Sequence, residues 1–335
     1  MTPENLPTSM RAIRYSRHGG PEVIEIGEMP VPKVGPDQVL IEVSHAAINP
    51  ADVKERDGRI GELCLFPYVP GFDCAGKVAA IGTGVTQMAV GDEVISGSDH
   101  LLGDWGSFAR FVRVNADHVG PKPASLSPRE AATIPVAGRT AWQALFAAHK
   151  AALKEGDSVL FHGGSGGTGS FGVQFAKAMG LRVVATCSSS NVDYLRGLGA
   201  DLVVDYTSEE IGEAVRHWCP DGLDGIVDAV SGGTLPDPLA MLRPGGRLFQ
   251  IATATDDGDI AENMAAAEAQ GKVWILGICD FDGAWDELAH IGALFNNGAV
   301  KCPPIQEVAM EDLASAQKAI GTGHTRGKIV MEITA

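Results

Sequence analysis

Seven residues, Gly163-Gly164-Ser165-Gly166-Gly167-Thr168-Gly169, carry the plainest chemistry in this chain. Gly164, Gly166 and Gly169 stand at GxGxxG spacing. Glycines so spaced permit a tight turn, let the backbone approach a pyrophosphate and seat the following helix closely. A helix opening there presents unpaired N–H groups and the positive end of its dipole to phosphate oxygens. The surroundings agree. An apolar run at 159–161 precedes the loop, an amphipathic stretch follows it to Gly180, and a β-branched run, Arg182–Cys187, comes next. An isolated glycine turn lacks that context, so the loop points to a bound dinucleotide.

Which dinucleotide is read about 20 residues further on, where an acid would hold the ribose hydroxyls of NAD. The chain has Thr186-Cys187-Ser188-Ser189-Ser190-Asn191 there, with no acid at the strand end. The hydroxyls of Ser188 and Ser189 can surround a 2′-phosphate, which favours NADP(H), with Arg196 a further candidate contact. Neutral contacts hold a phosphate less firmly than charge-assisted ones. Asp228-Ala229-Val230 and Ile251-Ala252-Thr253 end the next strands of the series, so Val230 and Thr253 are expected at the nicotinamide half.

The elements that must position these residues fall into two styles. From Ala12 to about Lys122 the segments are short, β-branched and separated by glycine turns, as at 39–43, 76–81, 93–95 and 108–114. From Ser158 to Ile278 strands and helices alternate, the strands expected at Ser158–His162, Arg182–Cys187, Leu202–Asp205, 225–230, 247–252 and 273–278. One helix opens on a capping box at Thr207 and Glu210. Six strands in βα alternation imply a doubly wound parallel sheet. The strand expected at 327–331 returns to the first style and is expected to rejoin the first domain.

Composition sets the outer bounds. With 335 residues, 45% hydrophobic and 20% charged, the chain reads as a soluble α/β protein of two domains. Its 26 basic and 42 acidic side chains leave a net charge of −16, which argues against nucleic-acid or anionic-membrane partners. No apolar run nears the ~20 residues of a membrane span, and the first ten residues lack the pattern of a signal peptide. Six scattered cysteines without a CxxC pair fit a reducing compartment, so a cytoplasmic location is expected.

Further motifs resemble a family from end to end. They are His18-Gly19-Gly20-Pro21-Glu22-Val23, Ala46-Ala47-Ile48-Asn49-Pro50-Ala51-Asp52, Phe66-Pro67-Tyr68-Val69-Pro70-Gly71-Phe72-Asp73 and Gly91-Asp92-Glu93-Val94. Ala137-Gly138-Arg139-Thr140-Ala141-Trp142, the glycine loop and Gly327-Lys328-Ile329-Val330 complete the set. Their order resembles the zinc-independent quinone oxidoreductase and enone reductase branch of the medium-chain dehydrogenase/reductase superfamily. The resemblance implies a GroES-like, mostly β catalytic domain at 1–125, completed by 300–335. It also implies a Rossmann domain with a six-stranded parallel sheet at 126–299, and a homodimer paired through the edge strand at 273–278.

Zinc-dependent relatives carry a cysteine motif where this chain has Asn49-Pro50-Ala51-Asp52. They carry Gly-His-Glu where it has Gly71-Phe72-Asp73, and Phe72 cannot ligate a metal. No metal is therefore expected. Without a Lewis acid to manage an alkoxide, the reading is NADPH-dependent hydride transfer to a quinone or to the C=C of an α,β-unsaturated carbonyl. A zinc-free alcohol or aldehyde dehydrogenase, and an NADPH-binding structural or regulatory protein, are the alternatives.

By resemblance Asn49 lies near nicotinamide and substrate, where its amide can donate. Lys54 can hold an enolate oxygen or supply a proton, or it is a solvated lysine of the charged stretch Lys54-Glu55-Arg56-Asp57. Asp52 orients its loop or touches substrate, and Tyr68 lines the substrate cleft or packs. Thr140 contacts substrate or nicotinamide, and Tyr206 joins the 2′-phosphate site. Arg139 is read as a helix-surface arginine, with anion recognition the alternative.

Overall fold

The computed structural model describes residues 6–60, 64–230, 232–251 and 260–334. An antiparallel ribbon opens the chain, β1 (Ser9–Tyr15) with β2 (Ile24–Pro30). Next come β3 (Gln38–Ile48), the short helix α1 (Pro50–Arg56), β4 (Asp73–Ile81), β5 (Glu93–Gly97), β6 (Phe111–Asn115) and β7 (Val119–Pro121). Helices α2 (Pro128–Ala131) and α3 (Pro135–Phe146) lead into β8 (Ser158–His162), α4 (Gly167–Ala178), β9 (Arg182–Cys187) and α5 (Val192–Gly197). The alternation continues through β10 (Leu202–Asp205), α6 (Ile211–Trp218), β11 (Leu223–Asp228), β12 (Leu242–Ile251), α7 (Ile260–Ala269) and β13 (Val273–Gly277). After α8 (Ala284–Asn296) the chain ends with β14 (Ile305–Val308), α9 (Leu313–Gly321) and β15 (Lys328–Glu332).

Among the described residues β8 to β13 form a six-stranded parallel sheet in the order β10-β9-β8-β11-β12-β13. All of β8 is buried, as a strand covered by helices on both faces must be. The strand order reverses between β8 and β11, and the crevice at that switch point is where such sheets bind ligands. The expected strands are all present. The fourth starts earlier, at Leu223, and the fifth at Leu242, with a register shift between Leu223 and Gly225 that carries the extra residues.

Among the described residues the second sheet has seven strands, β14-β15-β3-β4-β5-β7 with β6 also on β3. Here β15 lies antiparallel to β3, Ile329 opposite Ile48, so the last strand stands beside one of the first. Sequence periodicity suggested a strand at 39–43, yet β3 runs on to Ile48. Register shifts against β4 between Val43 and His45 absorb the polar pair Ser44-His45, and Ser44 Oγ donates to the Ala75 carbonyl at 3.0 Å. One apolar cluster spans both sheets, holding Ala47, Ala75 and Ile95 with Phe161, Val183 and Val227.

Helix α6 corrects one expectation. Its cap is Glu210, whose carboxylate accepts the N–H groups of Gly212 and Glu213. Thr207 cannot serve, because its hydroxyl and N–H are both held by Asp205 Oδ1, at 2.7 and 3.0 Å.

Close seating of α4 on β8 depends on Gly172, where a Cβ would lie 1.9 Å from Phe161 Cε2. Gly172→Ala should cost about 1–3 kcal/mol through overpacking, read as a lower urea midpoint. Gly197→Ala in α5, where a Cβ meets nothing within 4 Å, should be neutral or stabilising by up to about 1 kcal/mol.

Candidate active site

The glycine loop leaves the end of β8 through Gly163, whose φ of 82° suits a residue without Cβ. A Cβ at Gly169 would lie 2.3 Å from the Gly163 carbonyl oxygen, so the helix reaches the loop only because that position is bare. Thr186 fastens the turn, its hydroxyl accepting from Gly163 N–H and its carbonyl from Gly164 N–H, both at 3.0 Å. The cap of α4 is Gly166, which brings no side chain to the first-turn N–H groups. A 12-residue helix with such a bare start and a close-packed glycine approach fits a pyrophosphate.

Around it the sheet gathers the other expected cofactor residues. Ser188 and Ser189 follow β9, and Tyr206 follows β10 with an exposed ring, its N–H donating to the Cys187 carbonyl at 3.1 Å. Hydrogen bonds from the hydroxyls of Ser189 and Thr207 hold the Asp205 carboxyl down at about 2, so it is charged at neutral pH. Val230 follows β11, half exposed beside Gly163. Thr253 lies outside the described residues.

In the other sheet β3 delivers Asn49 to the start of α1, where Pro50 takes the first helical position. Asn49 N–H donates to Asp52 Oδ2 at 2.6 Å, so Asp52, fully buried, holds the loop to the helix. Its other oxygen has no partner, and burial pushes its carboxyl well above the usual carboxylate range. The Asn49 side chain turns inward. Nδ2 donates to Asp73 Oδ2 at 2.8 Å and faces the Ala47 carbonyl at 3.4 Å, while Oδ1 accepts from Lys328 Nζ at 2.5 Å. Both amide hydrogens are thus directed at protein acceptors.

Lys328 is the residue that sequence reasoning passed over. It was legible only as part of a terminal strand motif. Its ammonium also donates to the Ile48 carbonyl at 3.2 Å and lies 3.4 Å from Asp73 Oδ2, with both partners buried. The second Asp73 oxygen accepts from Val136 N–H, in the first turn of α3, at 2.7 Å. Burial raises the Asp73 carboxyl, and Lys328, Asn49 and Val136 oppose that rise. The residue before Lys328 meets the glycine loop, for Gly327 N–H donates to the Ser165 carbonyl at 3.0 Å and Gly327 pairs with Gly166.

Lys54 projects from α1 with a half-buried side chain. The stretch around it is not the solvated run its composition suggested. Glu55 is fully buried, and Arg56 is nearly so, donating to the Gly19 carbonyl at 3.1 Å and Gln317 Oε1 at 2.6 Å. Tyr68 is buried edge-on to Tyr15, its ring centroid 5.7 Å away. Burial and the neighbouring Glu55 push its hydroxyl far up. Thr140 is buried on α3 beside the Cys279 thiol. Arg139 is neither at the surface nor open to an anion. It is 2% exposed and donates to the carbonyls of Phe281 and Asp282 at 3.1 and 3.2 Å. The helix face that looked solvent-directed is covered by the chain after β13.

That segment is also met by His118, whose Nδ1 lies 2.5 Å from Asp99 Oδ1 and whose Nε2 lies 3.4 Å from Asp282 Oδ1. At the positions where zinc-dependent relatives bind metal stand Asn49, bonded as above, and Phe72, packed edge-on to His100. Among the described residues no group of three or more His, Cys, Asp or Glu side chains is arranged to hold a metal ion.

Two consequences are measurable. Lys328→Met leaves Asp73 buried without its cation and should cost about 3–5 kcal/mol, read by urea unfolding. The Asp99 carboxylate raises the His118 pKa above its ordinary 6.5. The stability His118 contributes should therefore be complete below pH 6.5 and fade as pH rises through the raised value. In His118→Gln that part of the pH dependence should vanish from unfolding midpoints measured across the range.

Two family models match, an alcohol dehydrogenase GroES-like domain at residues 35–124 and a zinc-binding dehydrogenase domain at 167–288. The chain is 31% identical to a quinone oxidoreductase of Rattus norvegicus over 327 residues, covering 96% of each. It is 33% identical over 287 residues to an NADPH-dependent alkenal/one oxidoreductase, chloroplastic, of Arabidopsis thaliana, covering 80% of this chain and 72% of that one. Among solved structures, the quinone oxidoreductase of Coxiella burnetii superimposes with a TM-score of 0.86 at 28% identity, covering 97% of this chain and 100% of the other. With this sheet order, glycine loop and GroES-like lobe, the chain belongs to the quinone oxidoreductase and enone reductase branch of the medium-chain dehydrogenase/reductase superfamily.

Proposed function

We propose that this protein is a reductase that works without zinc and uses NADPH to reduce quinones or the C=C bond of α,β-unsaturated carbonyls. The observation that carries the reading is the fate of Asn49. At a position where zinc-dependent relatives have a ligand, this chain has a side chain bonded on both ends to a buried ammonium and a buried carboxylate. A cation is thus already built into the protein there. The relatives' names, quinone oxidoreductase and NADPH-dependent alkenal/one oxidoreductase, support the same substrate class.

The loop at 163–169 and the start of α4 are the residues to hold the pyrophosphate, with Ser188, Ser189 and Tyr206 at the adenosine end and Val230 and Thr253 at the nicotinamide end. Bound there, NADPH supplies hydride to the β-carbon of the acceptor. Lys54 is then positioned on α1 to hold the developing enolate oxygen or to deliver the proton. Asn49 and Asp52 fix the start of that helix, Thr140 on α3 contacts substrate or nicotinamide, and Tyr68 lines the substrate cleft or packs against Tyr15.

We read the protein as a cytoplasmic homodimer paired along β13, an edge strand in the described sheet with Val273 exposed. Its domains meet near residue 126 and again near 300. The charge of −16 supports neither a nucleic-acid nor an anionic-membrane partner. No helix among the described residues is long and apolar enough to cross a membrane.

The test is turnover of NADPH against a panel of enones, quinones and aldehydes. Enones or quinones should be reduced, and turnover of aldehydes alone would overturn the reading. Lys54→Ala should lower kcat for enones about 100-fold with NADPH affinity nearly unchanged. Unaltered turnover returns Lys54 to a surface role.

A further inference from the structure

The serine loop after β9 contains no cation of its own, yet a guanidinium lies against it. Arg326, two residues before β15, donates through Nε to Asn191 Oδ1 at 2.6 Å and through Nη2 to the Ser190 carbonyl at 2.8 Å. Its guanidinium also sits over the Tyr194 ring, 5.6 Å from the centroid. Asn191 in turn donates to Ser188 Oγ at 3.3 Å, and Ser188 Oγ lies 3.4 Å from Ser190 Oγ. We propose that Arg326 recognises the adenosine 2′-phosphate, so that NADP(H) is selected by a residue of the C-terminal segment reaching across to the nucleotide-binding sheet. The inference rests on the NADPH reading above and supplies the charge that reading lacked.

Position comes first. Given a pyrophosphate on the glycine loop, the adenosine ribose lies at the end of β9, and an arginine near that point is the usual device for accepting a 2′-phosphate. The strand ends at Cys187, and Arg326 bonds to Ser190 and Asn191, two of the four residues from Ser188 to Asn191 that follow. Chemistry agrees. A guanidinium carries five N–H donors in a planar fork, and the two bonds above hold its orientation while leaving donors for phosphate oxygens. Its exposed position keeps it accessible to a ligand.

The acids nearby are otherwise engaged. Asp193 is paired with Arg196 at 3.3 Å, and Asp205 is bonded by Thr207 and by its own turn. Asp205 still bears its charge, and Arg326 brings a cation to the serine loop that Asp205 shares through Ser189.

Connectivity adds a second consequence. Arg326 is followed directly by Gly327, bonded to the glycine loop, and Lys328, bonded to Asn49 and Asp73. Three consecutive residues therefore face the 2′-phosphate, the pyrophosphate loop and the buried ion pair in turn. A phosphate held by Arg326 adds to the bonds that already join the C-terminal segment to the nucleotide-binding lobe.

The experiment is calorimetric titration of the intact protein with NADP+ and NAD+, at two salt concentrations, for wild type, Arg326→Gln and Arg326→Lys. Arg326→Gln should weaken NADP+ about 10–100-fold, leave NAD+ unchanged and flatten the salt dependence of NADP+ binding. Arg326→Lys should recover part of the loss. Unchanged NADP+ affinity in Arg326→Gln, or an equal loss for both dinucleotides, overturns the proposal and leaves Arg326 a tether. Wild type that binds both dinucleotides equally overturns the NADPH reading itself, whatever the variants do.

Discussion

A buried ion pair governs the geometry of this molecule. Asp73 and Lys328 are both removed from water, and two such charges are tolerated only when geometry and hydrogen bonds satisfy them together. Here the satisfaction comes from four places in the chain: the end of β3, the start of β4, the start of β15 and the first turn of α3. None of the four can drift without exposing a charge to an apolar interior. Because Asn49 is also the cap of α1 and Val136 opens α3, the two helices that carry Lys54 and Thr140 are positioned by the same charges. The candidate chemistry is therefore set by an electrostatic requirement met deep in the protein, at the residues that flank the candidate site.

The glycine loop is tied to that pair as well. A Cβ at Gly167 would fall 2.7 Å from Lys328 Cδ, so the lysine stem and the loop fit only because the loop is bare there. The usual reading of such glycines looks outward, to the phosphate. At Gly167 the constraint points inward, to the other sheet. The loop serves two surfaces at once, a ligand on one and the neighbouring lobe on the other.

The nucleotide-binding sheet was legible because its strands are continuous apolar runs between glycine turns, and a fully covered sheet leaves them little choice. The loop was legible because its purpose is local. What escaped was carried by side chains that meet across the fold. Lys328 reads as a strand residue, and only the register of β15 on β3 shows that it neutralises Asp73. Arg139 reads as a surface residue because its cover, the chain near Phe281, lies more than 140 residues away in sequence. Glu55 and Arg56 look like solvated charges, yet α1 is packed on both sides, with Arg56 bonded to Gln317 of α9. The cap of α6 was misassigned to Thr207 because sequence shows an available hydroxyl, while the structure shows Asp205 already holding it. In each case spacing reveals the residue type, and only the tertiary partner decides its use.

The placement of β15 on β3 also constrains when the first lobe can be completed. The six strands of the parallel sheet are complete by Gly277, whereas the strand that pairs with β3 is not made until Lys328 to Glu332. Domains synthesised first usually fold first, but here the lobe begun first must wait. Its sheet edge at β3, with the Asp73 carboxylate beside it, stays open while the nucleotide-binding lobe forms behind. Lys328 to Glu332 then close both the sheet and its charge, so β3 and Asp73 of β4 gain these partners only after the strands of the nucleotide-binding sheet have been made.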